Sequence, residues 1–314
     1  MAEDRESIVR RLAFKLISKK IAGSTANSML EKVRELNAQG LHSTITFINE
    51  GVDDTTKARY NLNAYAQTIR QIYRLHLNAG ISIRLSQLGY SLGEDTLNKS
   101  MEGIFRSAQG TKIPIWIETE SSIGTERQLR LYRRYKPLYQ NLGIEIPILQ
   151  VHDLVMIREH IRPNDMVKLT THIYNANPVV ERPANAAGRK PKQKRGQKNG
   201  YDDHRHDTFH LYVSYISALL VSKAKVVIQE SDDRVISRIA RFNRDYKRHL
   251  IFEMPLGYSE RRLKRLVKQG ITPNTYVPYG KDWVPYALSR LEPGRIRDIA
   301  VSVLDGQHKN DLNG

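Results

Sequence analysis

The chain has 314 residues, 40% of them hydrophobic, and a formal net charge of +17. It contains no cysteine, which excludes disulfides, cysteine-ligated metals and a cysteine nucleophile, and no segment approaches the ~18 consecutive apolar residues of a membrane-spanning helix. The first residues, Met1 to Glu6, are charged and lack an apolar run, so no signal peptide and a cytoplasmic location are expected.

Residues 5 to 38 read as helical, with Ile8, Leu12, Leu16 and Ile17 and then Met29, Val33 and Leu36 at helix spacing, and Gly40 as the stop. An extended run follows, His42 to Asn49. A helical stretch over about 53 to 77 precedes Ile81 to Leu85, and one over about 94 to 108 precedes Ile113 to Ile117. A third, from about 124 to 141, leads to Ile144 to Gln150, and a short one near 152 to 160 leads to Met166 to Leu169. A long polar insertion, roughly 178 to 206, interrupts the alternation. It resumes with a helix carrying Phe209, Val213, Ile216 and Leu220, then Val226 to Gln229. Ile236, Ile239 and Phe242 mark the next helix, before Leu250 to Met254. Leu263, Leu266 and Val267 mark another, before the strand Asn274 to Val277. Pro278 and Gly280 break that strand, and a last helix begins near Asp282, with Tyr286 and Arg290 four apart on one face.

Eight strand-like runs, each followed by a helix-like run, imply parallel pairing with right-handed crossovers. At this length the expected architecture is a closed (β/α)8 barrel of the TIM type. An open doubly wound sheet competes, but no Gly-x-Gly-x-x-Gly turn follows any strand. The expected organisation is an N-terminal helical segment over 1–40, the barrel over 41–292 with its basic insertion at about 178–206, and a C-terminal helix or tail over 293–314.

Such barrels carry their chemistry at the C-terminal ends of the strands. Those ends here hold Asn49, Glu50, Gln87, Glu118, Thr119, Glu120, Gln150, Thr170, Thr171, His172, Glu230, Ser231, Glu253 and Tyr276. Arg84 stands out, because alternation puts it on the face opposite Ile81, Ile83 and Leu85. If that face is the lumen, the cation needs an anionic partner. Glu118 could serve as that partner in a ligand-free ion pair, and so could the carboxylate of a ligand.

The stretches Ile81-Ser-Ile-Arg-Leu-Ser-Gln-Leu-Gly89, Phe252-Glu-Met-Pro-Leu-Gly257 and Tyr276-Val-Pro-Tyr-Gly-Lys-Asp-Trp-Val-Pro-Tyr-Ala-Leu-Ser-Arg290 resemble proline dehydrogenase, over about residues 20 to 292. The resemblance implies a barrel that uses FAD to oxidise L-proline to 1-pyrroline-5-carboxylate by hydride transfer. It implies Arg84 and Glu118 as catalytic residues, and a substrate pocket formed by Arg84, Tyr276, Tyr286, Ser289 and Arg290. Ser289 replaces the first arginine of the family's carboxylate clamp, Arg84 replaces a strand lysine, and Glu118 falls on an aspartate. Thr119, Gln150, Lys168, Glu230, Ser231 and Glu253 would lie on the flavin side. Two flavin-contacting stretches depart from the family: Asp165-Met-Val-Lys-Leu-Thr-Thr171 lacks the arginine and glycine of its strand, and Glu230-Ser-Asp232 replaces its Thr-His-Asn/Asp turn.

Arg189 to Lys198 lies within a run of six cations and no acid, interspersed with glycine and proline, and reads as a solvated loop. It suits an anionic membrane surface at the inner face of the membrane, consistent with a membrane quinone as electron acceptor. It also suits nucleic acid, although no aromatics interleave the cations for base stacking. A second reading is therefore a flavin-deficient, non-catalytic barrel that binds nucleic acid or membrane through this loop. His206 and His210 are four apart but have no assignable third metal ligand, so no metal is expected. Arg261 to Arg265 reads as an exposed helix face.

Overall fold

The computed structural model describes residues 18–49, 51–148, 154–171, 201–246 and 250–282. All eight strand-like runs are strands, and they pair in chain order into a closed parallel barrel. The strands are β1 (His42–Phe47), β2 (Ala79–Ile83), β3 (Ile115–Ile117), β4 (Leu142–Pro147), β5 (Met166–Thr170), β6 (Lys225–Gln229), β7 (Ile251–Pro255) and β8 (Thr272–Tyr279). The helices between them are α1 (Ala26–Ala38), α2 (Thr55–Arg74), α3 (Glu94–Ala108), α4 (Thr125–Tyr135), α5 (Leu154–His160), α6 (Tyr201–Ser222), α7 (Asp233–Tyr246) and α8 (Glu260–Lys268). β8 closes on β1 with Thr44 opposite Tyr276 and Ile45 opposite Val277.

Local chemistry sets several boundaries. Thr25 caps α1 reciprocally with Ser28, and the Asp54 carboxylate accepts from the Lys57 amide at the start of α2. The helix expected over 124 to 141 stops at Tyr135 and continues as a short 3-10 turn, Lys136–Leu138. Pro137 explains this, because it has no N–H to continue the α-helical ladder, and Lys136 before it keeps helical backbone as the chain tightens into the turn. Lys136 then bends back, and its buried ammonium donates to the carbonyls of Gln140 (2.7 Å) and Leu142 (2.8 Å). α6 begins at Tyr201, so residues 201 to 206, which composition places in the polar insertion, are helical instead. The aspartates and histidines of its first turns made that stretch read as loop.

Outward-facing strand positions fill the main core. Ile45 and Phe47, Ile81 and Ile83, Ile115 and Ile117, Ile144 and Ile146, Val167 and Leu169, and Val277 and Tyr279 belong to one apolar cluster with the helices. The alternate positions face the lumen, and most are polar: Thr44, Ser82, Glu145, Lys168, Thr170, Gln229, Glu253 and Asn274. Barrels of this kind usually fill their interior with branched apolar side chains. Here the lumen is a hydrogen-bonded polar network, so its members must satisfy one another.

Candidate active site

β2 ends at Ile83, and Arg84 is the first residue beyond it. Alternation persists into this exit: Ile83 and Leu85 join the apolar core, while Arg84 turns inward and is fully buried. Its Nε donates to Glu118 Oε2 at 2.8 Å. Glu118 leaves β3 on the neighbouring strand, and Tyr276 of β8 donates its hydroxyl to Glu118 Oε1 at 2.5 Å. Three residues from three strands, 192 positions apart at their extremes in sequence (Arg84 to Tyr276), thus meet on one carboxylate. Burial alone would raise the pKa of Glu118. The charge of Arg84, the hydrogen bonds from Tyr276 and Arg84, and the nearby charge of Lys168 outweigh it and hold Glu118 at about 2.

A second cluster lies beside the first. Lys168 of β5 is fully buried and donates to Glu253 Oε1 of β7 at 2.6 Å, with Glu145 of β4 at 4.0 Å. Its ammonium stands 5.0 Å from the Trp116 ring and 5.7 Å from the Tyr276 ring. Gln229 and Asn274 also donate to Glu253, at 3.0 and 2.7 Å, and Thr170 donates to Gln229 at 2.7 Å. Tyr276 joins the clusters, its hydroxyl on Glu118 and its ring against Lys168. Trp116, Glu145 and Asn274 went unmarked in the sequence. Their signal was the period of two, which places each on the inward face of its strand.

The other expected site residues fall differently. Thr119 is buried but points away from the lumen, with its hydroxyl 3.3 Å from Gln128 of α4. Glu230, at the end of β6, accepts from the amides of Ser231 (2.7 Å) and Asp232 (3.0 Å), and burial raises its pKa. The Asp232 carboxylate in turn accepts from the Arg234 amide at 2.8 Å. The start of α7 is thus capped by the chain's own carboxylates, and Ser231 is exposed. Gln150, Tyr286, Ser289 and Arg290 lie outside the described residues, as does the basic stretch Arg189 to Lys198. His206 and His210 both fall within α6, and among the described residues no three His, Cys, Asp or Glu side chains are grouped to hold a metal. Arg261, Arg262, Lys264 and Arg265 form an exposed face of α8, as expected.

No family model matches the chain. It is similar to proline dehydrogenase 2 of Bacillus subtilis (strain 168), with 25% identity over 274 residues, covering 86% of this chain and 84% of that protein. Proline dehydrogenase 1 of the same organism is also 25% identical, over 276 residues. Among solved structures, proline utilization A from Bdellovibrio bacteriovorus, inactivated by N-propargylglycine, superposes over 90% of this chain with a TM-score of 0.68 and 12% identity. The chain spans 33% of the length of that protein, and the likeness shows a shared barrel fold.

Proposed function

We propose, from its standing as a divergent relative of the proline dehydrogenases, that the chain is an oxidoreductase acting on L-proline or a related cyclic or secondary amino acid. The product would be 1-pyrroline-5-carboxylate, with FAD taking the hydride. The observation that carries this reading is the buried meeting of Arg84, Glu118 and Tyr276 at the barrel mouth, at positions where the resemblance expects the substrate. Arg84, anchored through its Nε by Glu118, would bring a positive charge to a substrate carboxylate. The Tyr276 ring, held by Glu118 at one end and by Lys168 across its face, offers a rigid wall for an apolar ring. Positioning of this kind is the protein's main contribution when a cofactor supplies the redox chemistry. Tyr286, Ser289 and Arg290 would complete the pocket.

The described residues do not by themselves fit the flavin. Lys168 and Gln229 both give hydrogen bonds to Glu253, so Lys168, expected on the flavin side, is already engaged by an acid. The amides after β6, which could meet a phosphate, bond Glu230. The flavin therefore rests on the resemblance and on Gln150, with a membrane quinone as the onward acceptor and Arg189 to Lys198 as the contact with an anionic surface. An absorbance spectrum of the purified protein tests the whole reading. The bands of a bound flavin should bleach when L-proline is added without oxygen. Colourless protein that stays colourless after refolding with FAD overturns it.

A further inference from the structure

Glu120 stands two residues beyond Glu118 on the segment that leaves β3, where the charges of Arg84 and Glu118 both act on it. It is 2% exposed. Its Oε1 accepts from the Ser86 amide at 3.2 Å, while its Oε2 has no hydrogen-bond partner among the described residues. An unpartnered buried carboxylate oxygen is costly, and nothing in the fold explains this one, because Gln128 and the Ser86 loop already fix the exit of β3. The neighbouring acid offers no alternative, since both oxygens of Glu118 are taken by Arg84 and Tyr276.

Oxidising an amino acid at the carbon beside nitrogen needs the nitrogen lone pair, yet the substrate arrives as an ammonium. We propose that Glu120 takes that ammonium proton, a role that rests on the reading above. The N–H bond breaks and its proton moves to Glu120 Oε2. The lone pair freed in this way is what oxidation at the adjacent carbon requires. Two carboxyls in one site are thereby set to different tasks. Glu118 stays ionised to hold Arg84 and Tyr276, whereas burial brings Glu120 to about 6, against the pull of the Ser86 hydrogen bonds and the Arg84 charge, with Glu118 adding to the rise. The groups acting on Glu120 are thus Ser86 and Arg84 after β2 and Glu118 on its own segment.

Glu120→Gln keeps the acceptor for Ser86 and removes the base. The kcat/KM for L-proline at neutral pH should fall at least about tenfold. The Kd of tetrahydrofuran-2-carboxylate, which is proline with oxygen in place of its N–H, should stay within about twofold, because it brings no ammonium. Titration calorimetry in buffers of different ionisation heat gives a readout independent of turnover. Near pH 6, L-proline binding should release protons from the wild type and none from Glu120→Gln. Unchanged kcat/KM together with unchanged proton release overturns the assignment while leaving the function intact. A wild type that neither binds nor oxidises L-proline overturns both. If Glu120→Gln does not fold, the wild-type profile decides: kcat/KM must bend near pH 6, and a flat profile across that pH rules Glu120 out.

Discussion

Arg84 and Glu118 leave adjacent strands as an ion pair 2.8 Å apart, sealed from solvent at 0% and 3% side-chain exposure. A pair like this contributes through the cost of breaking it. Replacing Arg84 with Met strands a carboxylate in the barrel, and denaturant unfolding should show a loss of about 3–5 kcal/mol. The exposed pair Lys32–Glu35 is the control, and its loss should cost under about 1 kcal/mol. Equal costs for the two would mean that Arg84 is hydrated in solution.

Glu118 and Glu120 predict opposite pH effects. Glu118 is depressed from 4.5 to about 2, so the stability it contributes is present above 4.5 and is lost as pH falls through 2. Glu120 is raised from 4.5 to about 6, so its contribution is present below 4.5 and is lost as pH rises through 6. Each amounts to an energy on the order of 2–3 kcal/mol. In urea unfolding, the stability of Glu120→Gln should fall less between pH 4.5 and 6 than that of the wild type. Glu118→Gln should flatten the acid side, below 4.5. Parallel curves for wild type and both variants would contradict the burial of these two acids.

Lys168 and Glu253 should be strongly coupled. Lys168→Met and Glu253→Leu each leave one buried charge, and each should cost about 3–5 kcal/mol, while the double variant should recover part of that. A coupling of at least about 1 kcal/mol in a double-mutant cycle is expected. Additive losses would mean that the network does not close through this pair.

Tyr276→Phe removes one hydrogen bond to Glu118 and keeps the ring against Lys168. A loss of about 1–2 kcal/mol in stability is expected, with a rise of several-fold in KM for L-proline as the Glu118 carboxylate loses its second anchor. Tyr276→Leu, which also removes the ring, should weaken L-proline binding further. If Leu and Phe behave alike in binding assays, the ring is not a wall of the pocket.

Gly280, just past β8, has φ at +144°, and a Cβ there would lie 2.0 Å from the Ile48 carbonyl oxygen. Gly280→Ala should therefore destabilise by more than about 2 kcal/mol, combining backbone strain with a clash against backbone. Gly110 has φ at +75° and open space around it, so Gly110→Ala should cost only about 1 kcal/mol. Thermal melts of the two variants make the comparison.

The barrel could be read from the chain because its cause is local. Period-two runs such as Ile81-Ser-Ile-Arg-Leu85 alternate with helical spacing eight times, and each connection is too long for a hairpin, so parallel closure follows. Arg84 was legible for the same reason, as a cation breaking the pattern of its own strand, and Glu118 was already a candidate partner. The remaining contacts depend on distance through space. Nothing near Lys168 in the chain marks Glu253, 85 residues on, as its partner. Nor does the sequence around Thr119 show that its hydroxyl faces Gln128 instead of the lumen. Barrel closure and strand stagger settle which inward residues share a level, and those are properties of the whole sheet. The reach of Tyr276 across the lumen to Glu118, and the open oxygen of Glu120 beside it, exist only once all eight strands have met.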